Sequence, residues 1–220
     1  MTALFALAFA GMSMIQKKPM KVVFFGDSIT NQGAKKGGYI DLIQQEIDRR
    51  GLSGQYELIG GGVSGNKVYD LYLRMEEDVL AKQPDIVFIY IGINDVWHKT
   101  TAGTGTDAPK FTGFYNAIIR KLQDKKIKVI LCTPSVIGEK SDCTNPQDGE
   151  LNAYAQIVRN LALVHKCDLV DLRQVFLNYE ARNNTSNAEK GILTRDRVHL
   201  NAAGNKLVAE QMLKVLIPGL

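Results

Sequence analysis

A continuous apolar run turns abruptly into a glycine and a polar segment in the sequence Lys21-Val22-Val23-Phe24-Phe25-Gly26-Asp27-Ser28-Ile29-Thr30. Continuous rather than alternating apolar residues are typical of a strand that is buried on both faces. The run therefore predicts an interior strand of a parallel sheet. The turn that follows would present Ser28 at the edge of that sheet.

Four further strand-like runs follow along the chain, with helical stripes between them. The predicted strands are Lys21–Phe25, Tyr56–Ile59, Asp85–Ile91, Ile127–Cys132 and Asp168–Leu172, and the helical stripes lie at residues 39–47, 114–122, 151–164 and 207–216. Alternating strands and helices require right-handed crossovers and a parallel sheet covered on both sides. We predict a three-layer α/β/α fold with a five-stranded parallel sheet, forming one domain over residues 17–220.

The connections differ in length at the two edges of this sheet. Those that enter strands are short, whereas those that leave strands are long: Gly26–Gly38, Gly60–Lys67, Gly92–Pro109 and Thr133–Gly149. In open α/β sheets, ligands bind outside the carboxyl ends of the strands. Ser28, Gly65 and Asn94 all fall at this edge, which we therefore expect to carry the functional site.

The composition is ordinary for a globular protein: 220 residues, 45% hydrophobic and 23% charged, with a net charge of +4. The positive charges form no basic tract interleaved with aromatic residues, which argues against a nucleic-acid partner. The three cysteines, Cys132, Cys143 and Cys167, have no metal-ligand spacing. If the protein is exported, a disulfide can join Cys132 to Cys143, whereas a predicted helix separates Cys143 from Cys167.

Residues 1–16 carry no charged side chain and include the apolar stretch Ala3–Ala10. This stretch is too short to cross a bilayer as a helix, so no integral membrane span is predicted. Ala8-Phe9-Ala10 before Gly11 fits a small-residue cleavage site, which predicts a signal peptide and a periplasmic or extracellular location. No basic residue precedes the apolar run, and the alternative is an N-terminal helix packed on the domain.

Ser28, Asp196 and His199 are the parts of a nucleophilic acyl-transfer site. The segment Asp196-Arg197-Val198-His199 places an acid three residues before a histidine, near the far end of the chain. A carboxylate that orients a histidine, and a histidine that takes a serine proton, activate the serine as a nucleophile. Taken singly, Ser28 could equally cap a helix and Asp196 could be an ordinary turn residue. His199 could fill a loop before Asn201, which is well placed to cap the last helix.

Four short blocks in a fixed order give the chain a resemblance to the GDSL or SGNH hydrolases. They are Gly26-Asp27-Ser28-Ile29, Gly62-Val63-Ser64-Gly65-Asn66, Gly92-Ile93-Asn94-Asp95 and Asp196-Arg197-Val198-His199. Gly60-Gly61-Gly62 stands where that family often has an asparagine. The resemblance implies the flavodoxin-like SGNH form of the α/β fold and the activity of a serine esterase.

The resemblance also implies a role for each residue. Ser28 would be the nucleophile, His199 its base and Asp196 the group that holds the His199 ring. The backbone N–H groups of Ser28 and Gly65 and the side-chain amide of Asn94 would bind the developing oxyanion. No metal or organic cofactor is implied.

We expect Asp27, Trp97 and His98, which adjoin these blocks, to contact the substrate. The edge loops are polar: residues 98–109 are rich in Thr and Gly, and Gly138–Gly149 carries Glu139, Lys140, Asp142 and Asp148. Polar loops can hydrogen-bond a sugar but give little apolar surface to a long acyl chain. This composition favours short-acyl substrates, such as acetyl esters of carbohydrates or other small molecules.

Two alternatives stay open at this point. The family includes lysophospholipases and thioesterases as well as carbohydrate acetylesterases. From another class, Gly60-Gly61-Gly62-Val63-Ser64-Gly65 satisfies G-x-G-x-x-G, which would suit a nucleotide- or carbohydrate-binding module without catalysis. Against it, that fingerprint expects an acid about 20 residues further on, whereas the next predicted strand ends about 30 residues later.

Overall fold

The computed structural model describes residues 18–219, and the predicted signal peptide at residues 1–16 lies outside them. Its five strands are β1 (Met20–Gly26), β2 (Tyr56–Gly62), β3 (Ile86–Tyr90), β4 (Lys128–Cys132) and β5 (Asp168–Val170). They form one sheet in the order β2-β1-β3-β4-β5, and every neighbouring pair is parallel. The predicted fold class and the five strands are therefore confirmed.

Within residues 18–219, eight α-helices and one short 3-10 helix (Leu80–Lys82) connect and cover the strands. The α-helices are α1 (Ser28–Gly33), α2 (Tyr39–Arg49), α3 (Val68–Asp78), α4 (Ile93–Thr101), α5 (Ala108–Asp124), α6 (Asp148–His165), α7 (Leu172–Asn183) and α8 (Ala202–Leu216). Helix α2 packs against α8, and α3 packs against α5, which in turn contacts α6. Among the helices of residues 18–219, none combines the length and the apolar character that a membrane span requires.

The core forms where the continuous apolar runs meet the helical stripes. Val22, Val23 and Phe25 of β1 are fully buried, and the Phe24 ring stacks on the ring of Phe88 in β3 with centroids 5.0 Å apart. Burial on both faces is the physical reason why these strands read as unbroken apolar segments. Strand β1 is an interior strand between β2 and β3, so its carboxyl end has a neighbouring strand end on each side.

Several boundaries differ from the sequence-based predictions. The long links Gly26–Gly38 and Gly92–Pro109 contain helices α1 and α4, and β5 ends at Val170 rather than Leu172. Strand β5 stops early because the side chain of Asp171 accepts the N–H of Gln174 and begins α7. Helix α7 was not predicted, because the buried Arg173 and Glu180 interrupt its apolar stripe.

Candidate active site

Ser28 is the first residue of α1, immediately beyond the end of β1. The residue that caps this helix is Asp27, whose Oδ1 accepts the N–H of Ile29 at 2.9 Å. The interpretation of Ser28 as a helix cap is therefore wrong. Ser28 is mostly buried, with 8% of the residue exposed.

The expected contact between Asp27 and substrate is also corrected by this arrangement. Asp27 is 2% exposed, and its carboxylate accepts a hydrogen bond from the first turn of α1. Burial, partly offset by the hydrogen bond from Ile29, raises the pKa of Asp27 from 3.8 to about 7. Asp27 thus shapes the turn that presents Ser28 rather than lining the cleft.

A chain of hydrogen-bond distances connects Ser28 to Asp196 through His199. Nε2 of His199 lies 3.0 Å from Oγ of Ser28, and Nδ1 lies 2.8 Å from Oδ2 of Asp196. The other carboxylate oxygen of Asp196 accepts the backbone N–H of His199 at 2.7 Å. This geometry lets the imidazole take a proton from the serine hydroxyl while the carboxylate fixes the ring.

The acid and the histidine belong to one tight turn. Thr194 and Leu200 form an isolated antiparallel bridge on either side of it, and the N–H of Arg195 donates to the carbonyl of His199 at 2.9 Å. Burial raises the pKa of Asp196, but the hydrogen bonds from His199 outweigh burial and leave that pKa below its ordinary value. Asp196 therefore stays a carboxylate well into acid.

Of the three predicted oxyanion donors, Ser28 begins α1, Gly65 lies on the loop after β2 and Asn94 lies at the start of α4. Gly65 has φ of +80°, a conformation that a residue with a side chain rarely adopts. The side-chain amide of Asn94 donates to the carbonyl of Asn66 at 3.0 Å, which ties α4 to the residue after Gly65. Asn94 has a second amide hydrogen for a ligand.

Trp97 lies beside the histidine of this site. Its ring meets the ring of His199 edge-on, with centroids 6.3 Å apart and planes at 73°. The ring of His98 is 5.8 Å from that of Trp97. Burial, followed by the nearby Lys67 ammonium, lowers the pKa of His98. Of the three predicted substrate contacts, Trp97 and His98 thus remain candidates.

Arg74, on α3, is a residue of the site that sequence reasoning missed. Its guanidinium donates to the carbonyls of Gly26 and Gly61 at the ends of β1 and β2, and to Oδ1 of Asn66 at 2.6 Å. It also lies over the ring of Phe25. Arg74 therefore holds the loop that carries Gly65. In the sequence it appears only as an arginine four residues before Asp78, as on a solvated helix face.

The glycine-rich segment does not have the geometry of a dinucleotide-binding turn. Gly60, Gly61 and Gly62 lie inside β2 and pair with residues 24–26 of β1. The next helix begins only at Val68, whereas that fingerprint places its glycines at the turn that opens a helix. Gly62 is needed for a different reason: a side chain there would collide with the backbone of Thr30 and Asn31 in α1.

The expected disulfide is absent from the described residues. Cys132 is buried in β4, Cys143 is exposed and Cys167 is half-buried, and all three are free thiols.

A serine, a histidine and an aspartate in hydrogen-bond contact at the carboxyl edge of a parallel sheet define the class of α/β serine hydrolases. The sequence pattern of the GDSL-like lipase/acylhydrolase family matches residues 24–207. The chain belongs to that family, and it is a serine carboxylic ester hydrolase.

Several known proteins are similar to the chain over most of its length. A crystal structure of an acetyl xylan esterase, AlAXEase, is 58% identical and covers 90% of this chain and 100% of its own, with a TM-score of 0.89. The acetylxylan esterase of Geobacillus stearothermophilus is 30% identical over 88% of this chain and 92% of its own. A crystal structure of that species' acetylxylan esterase Axe2 is 26% identical, covers 90% and 95% of the two chains, and has a TM-score of 0.78.

Structures of Axe2 with a serine, an aspartate or a histidine replaced by alanine are described as those of catalytic mutants. In Axe2 that aspartate precedes the histidine by three residues, which is the spacing of Asp196 and His199 in this chain.

Proposed function

We propose that this chain is an acetylesterase that removes acetyl groups from a xylan-type carbohydrate, with Ser28, His199 and Asp196 as its catalytic triad. The observation that carries the substrate assignment is the 58% identity to an acetyl xylan esterase over 90% of the chain. The observation that carries the chemistry is the continuous contact from Ser28 Oγ to His199 and on to Asp196, at 3.0 and 2.8 Å.

In the proposed reaction, Oγ of Ser28 attacks the acetyl carbonyl carbon while Nε2 of His199 takes the hydroxyl proton. The oxyanion is stabilised by the N–H groups of Ser28 and Gly65 and by the amide of Asn94. His199 then gives its proton to the departing sugar oxygen, which leaves acetyl-Ser28. Water, deprotonated by His199, hydrolyses this ester and releases acetate.

The polar loops are weaker support for this substrate than the sequence indicated. Glu139 is fully buried, and the carboxylate of Asp148 accepts hydrogen bonds from Arg173 and Asn145. The carboxylates of Glu139 and Asp148 are therefore engaged in hydrogen bonds within the protein and do not support sugar binding. Of the other two charged loop residues, Asp142 is exposed and Lys140 is half-buried.

The test is a series of nitrophenyl esters from acetyl to octanoyl, together with acetate release from acetylated xylooligosaccharides. We expect kcat/KM to be highest for acetyl and to fall with chain length. A tunnel for the acyl chain would instead bind each methylene with about 0.8 kcal/mol, which is about a fourfold rise in kcat/KM per carbon. That rise would replace the proposal with a lipase or thioesterase.

The matched control for this series is Ser28→Ala. It should reduce hydrolysis of every ester by at least about 10⁴-fold while the circular dichroism spectrum and melting temperature stay those of the parent. Activity within a few-fold of the parent would exclude Ser28 as the nucleophile, whichever acyl group is preferred.

We also propose that the protein is exported, because a polysaccharide substrate is too large to enter a cell intact. The mass and N-terminal sequence of the protein recovered from its native host test this. A mature chain that begins at Gly11 is expected, and a cell-associated chain that begins at Met1 would contradict export.

A further inference from the structure

Glu139 is a buried carboxylate that binds three consecutive backbone N–H groups. Its side chain has no exposed surface. Oε1 accepts from Leu193 and Thr194 at 2.6 Å each, and Oε2 accepts from Ile192 at 2.8 Å. Hydrogen bonds to an ionised acceptor are short and about twice as strong as neutral ones. Glu139 thus fixes the direction of the backbone at residues 192–194.

Two further contacts fasten the same two segments together. The N–H of Glu139 donates to the carbonyl of Glu189 at 3.0 Å, and the N–H of Gly138 donates to the carbonyl of Arg197 at 2.9 Å. Residues 138–139 therefore contact the chain on both sides of Asp196. They hold the segment from 189 to 197 with side-chain and main-chain bonds alike.

The anchored backbone leads directly into the catalytic turn. Thr194 forms one half of the bridge to Leu200 that closes the turn, and its Oγ1 accepts the N–H of Arg197 at 3.1 Å. Asp196 and His199 both lie between the two bridge residues. A shift of residues 192–194 would therefore move Asp196 relative to the sheet edge where Ser28 is fixed.

We propose that Glu139 is a positioning residue of this esterase, which holds Asp196 in the orientation that binds His199 through the N–H groups of Ile192, Leu193 and Thr194. The proposal rests on the triad of the proposed function. Glu139 touches neither substrate nor the reacting atoms. Its effect reaches the chemistry only through Asp196, so it should alter the reaction step rather than substrate binding.

The test is a double-mutant cycle of Glu139→Gln with Asp196→Asn, followed by kcat and KM for an acetyl ester. A glutamine has the same size but turns one acceptor oxygen into an N–H₂ group that faces the backbone donors. Glu139→Gln alone should lower kcat at least about tenfold and change KM less than about twofold, because an interaction of the transition state alone is weakened. With Asp196 already replaced, the same change should cost less than about threefold in kcat, since the group that it positions no longer acts.

The matched control is Glu189→Gln, which removes an exposed acid from the same segment and its ion pair with Nε of Arg197 at 3.0 Å. It should change kcat less than about twofold. Circular dichroism at the assay temperature measures the folded fraction of each variant. If Glu139→Gln is not folded, Glu139→Asp, which keeps the carboxylate, takes its place in the cycle and should show a smaller loss of the same kind.

The outcomes separate this proposal from the proposed function. Equal losses of kcat with and without Asp196 would show that Glu139 acts independently of Asp196, and this would overturn the positioning role alone. A loss seen only in KM would overturn it as well. An Asp196→Asn variant with the activity of the parent would overturn the triad itself and the positioning role with it.

Discussion

Replacement of Asn94 by alanine should reduce kcat by about 10²–10³, which is about 2.7–4 kcal/mol of transition-state stabilisation. Asn94 is the second residue of α4 and is buried. One amide hydrogen is used by the carbonyl of Asn66 at 3.0 Å, which leaves the other for the oxyanion. Removal takes one of three donors from a site where water cannot readily replace it. KM for a short ester should change little, because the donor acts on charge that develops in the transition state.

The same substitution also has a structural cost, which can be separated from catalysis. The carbonyl of Asn66 loses a donor, worth about 1 kcal/mol of stability and about 2–4 °C in melting temperature for a chain of this size. Steady-state kinetics on an acetyl ester measure the first effect, and thermal unfolding measures the second. Thr101→Ala on the same helix removes the hydrogen bond from Oγ1 to the Trp97 carbonyl at 3.0 Å and serves as the control, with kcat within twofold of the parent. A loss of less than tenfold in kcat for Asn94→Ala, or one confined to KM, would refute the role of Asn94 as an oxyanion donor.

Two further results are expected. Burial, and then the carboxylate of Glu139, raise the pKa of Glu180 from 4.5 to about 8, so the folded state holds a proton there that the unfolded state releases between these pH values. Stability therefore falls as pH rises through this window. Urea unfolding measures the free energy of unfolding of the parent and of the uncharged variant Glu180→Gln. Between pH 5 and pH 8 this free energy should rise by about 3 kcal/mol in the variant relative to the parent. A difference between the two proteins that does not change with pH would contradict the raised pKa of Glu180. A thiol reagent should modify one cysteine per native chain rapidly, namely the exposed Cys143, and peptide mapping that finds Cys132 modified first would be inconsistent with its burial in β4.

Most of the sheet could be predicted because its physical cause is local in sequence. The runs Val22–Phe25 and Val129–Cys132 are buried on both faces and so contain no polar residue. The serine, histidine and aspartate of the proposed triad could be identified for a related reason: each lies in a short block whose residue types the chemistry restricts. The cap of the last helix by Asn201, whose Oδ1 accepts the N–H of Gly204 at 3.0 Å, is likewise a local signal and is confirmed.

The missed features depend on contacts between distant segments. Glu139 and Asp142 look alike in a polar loop, yet Glu139 is fully buried and Asp142 is exposed. The difference arises because residues 192–194, more than fifty positions away, donate three backbone N–H groups to the carboxylate of Glu139. Arg74 is similar, since the carbonyls that it binds belong to the ends of two strands. No pattern within a short window distinguishes such residues from ordinary surface charges.

The two halves of the catalytic contact are fixed by different parts of the fold. The distance from Asp196 to His199 is set inside one turn, whereas that from His199 to Ser28 joins residues 171 positions apart. Hydrogen bonds of Tyr39 connect the two helices next to Ser28 and His199. Its hydroxyl donates to Thr30 on α1 at 2.9 Å, and its N–H donates to Asn205 on α8 at 3.0 Å.

These hydrogen bonds extend to the residue that caps α8. The side-chain amide of Asn205 donates to the carbonyl of Asn201 at 2.9 Å, and Asn201 lies two residues beyond His199. The start of α1, which carries Ser28, and the start of α8, which follows His199, are thus both tied to the first residue of α2. Packing of these three helices governs the approach of the base to the nucleophile. The anchor at Glu139 governs the orientation of the acid, so the two requirements of the triad are met by separate sets of contacts.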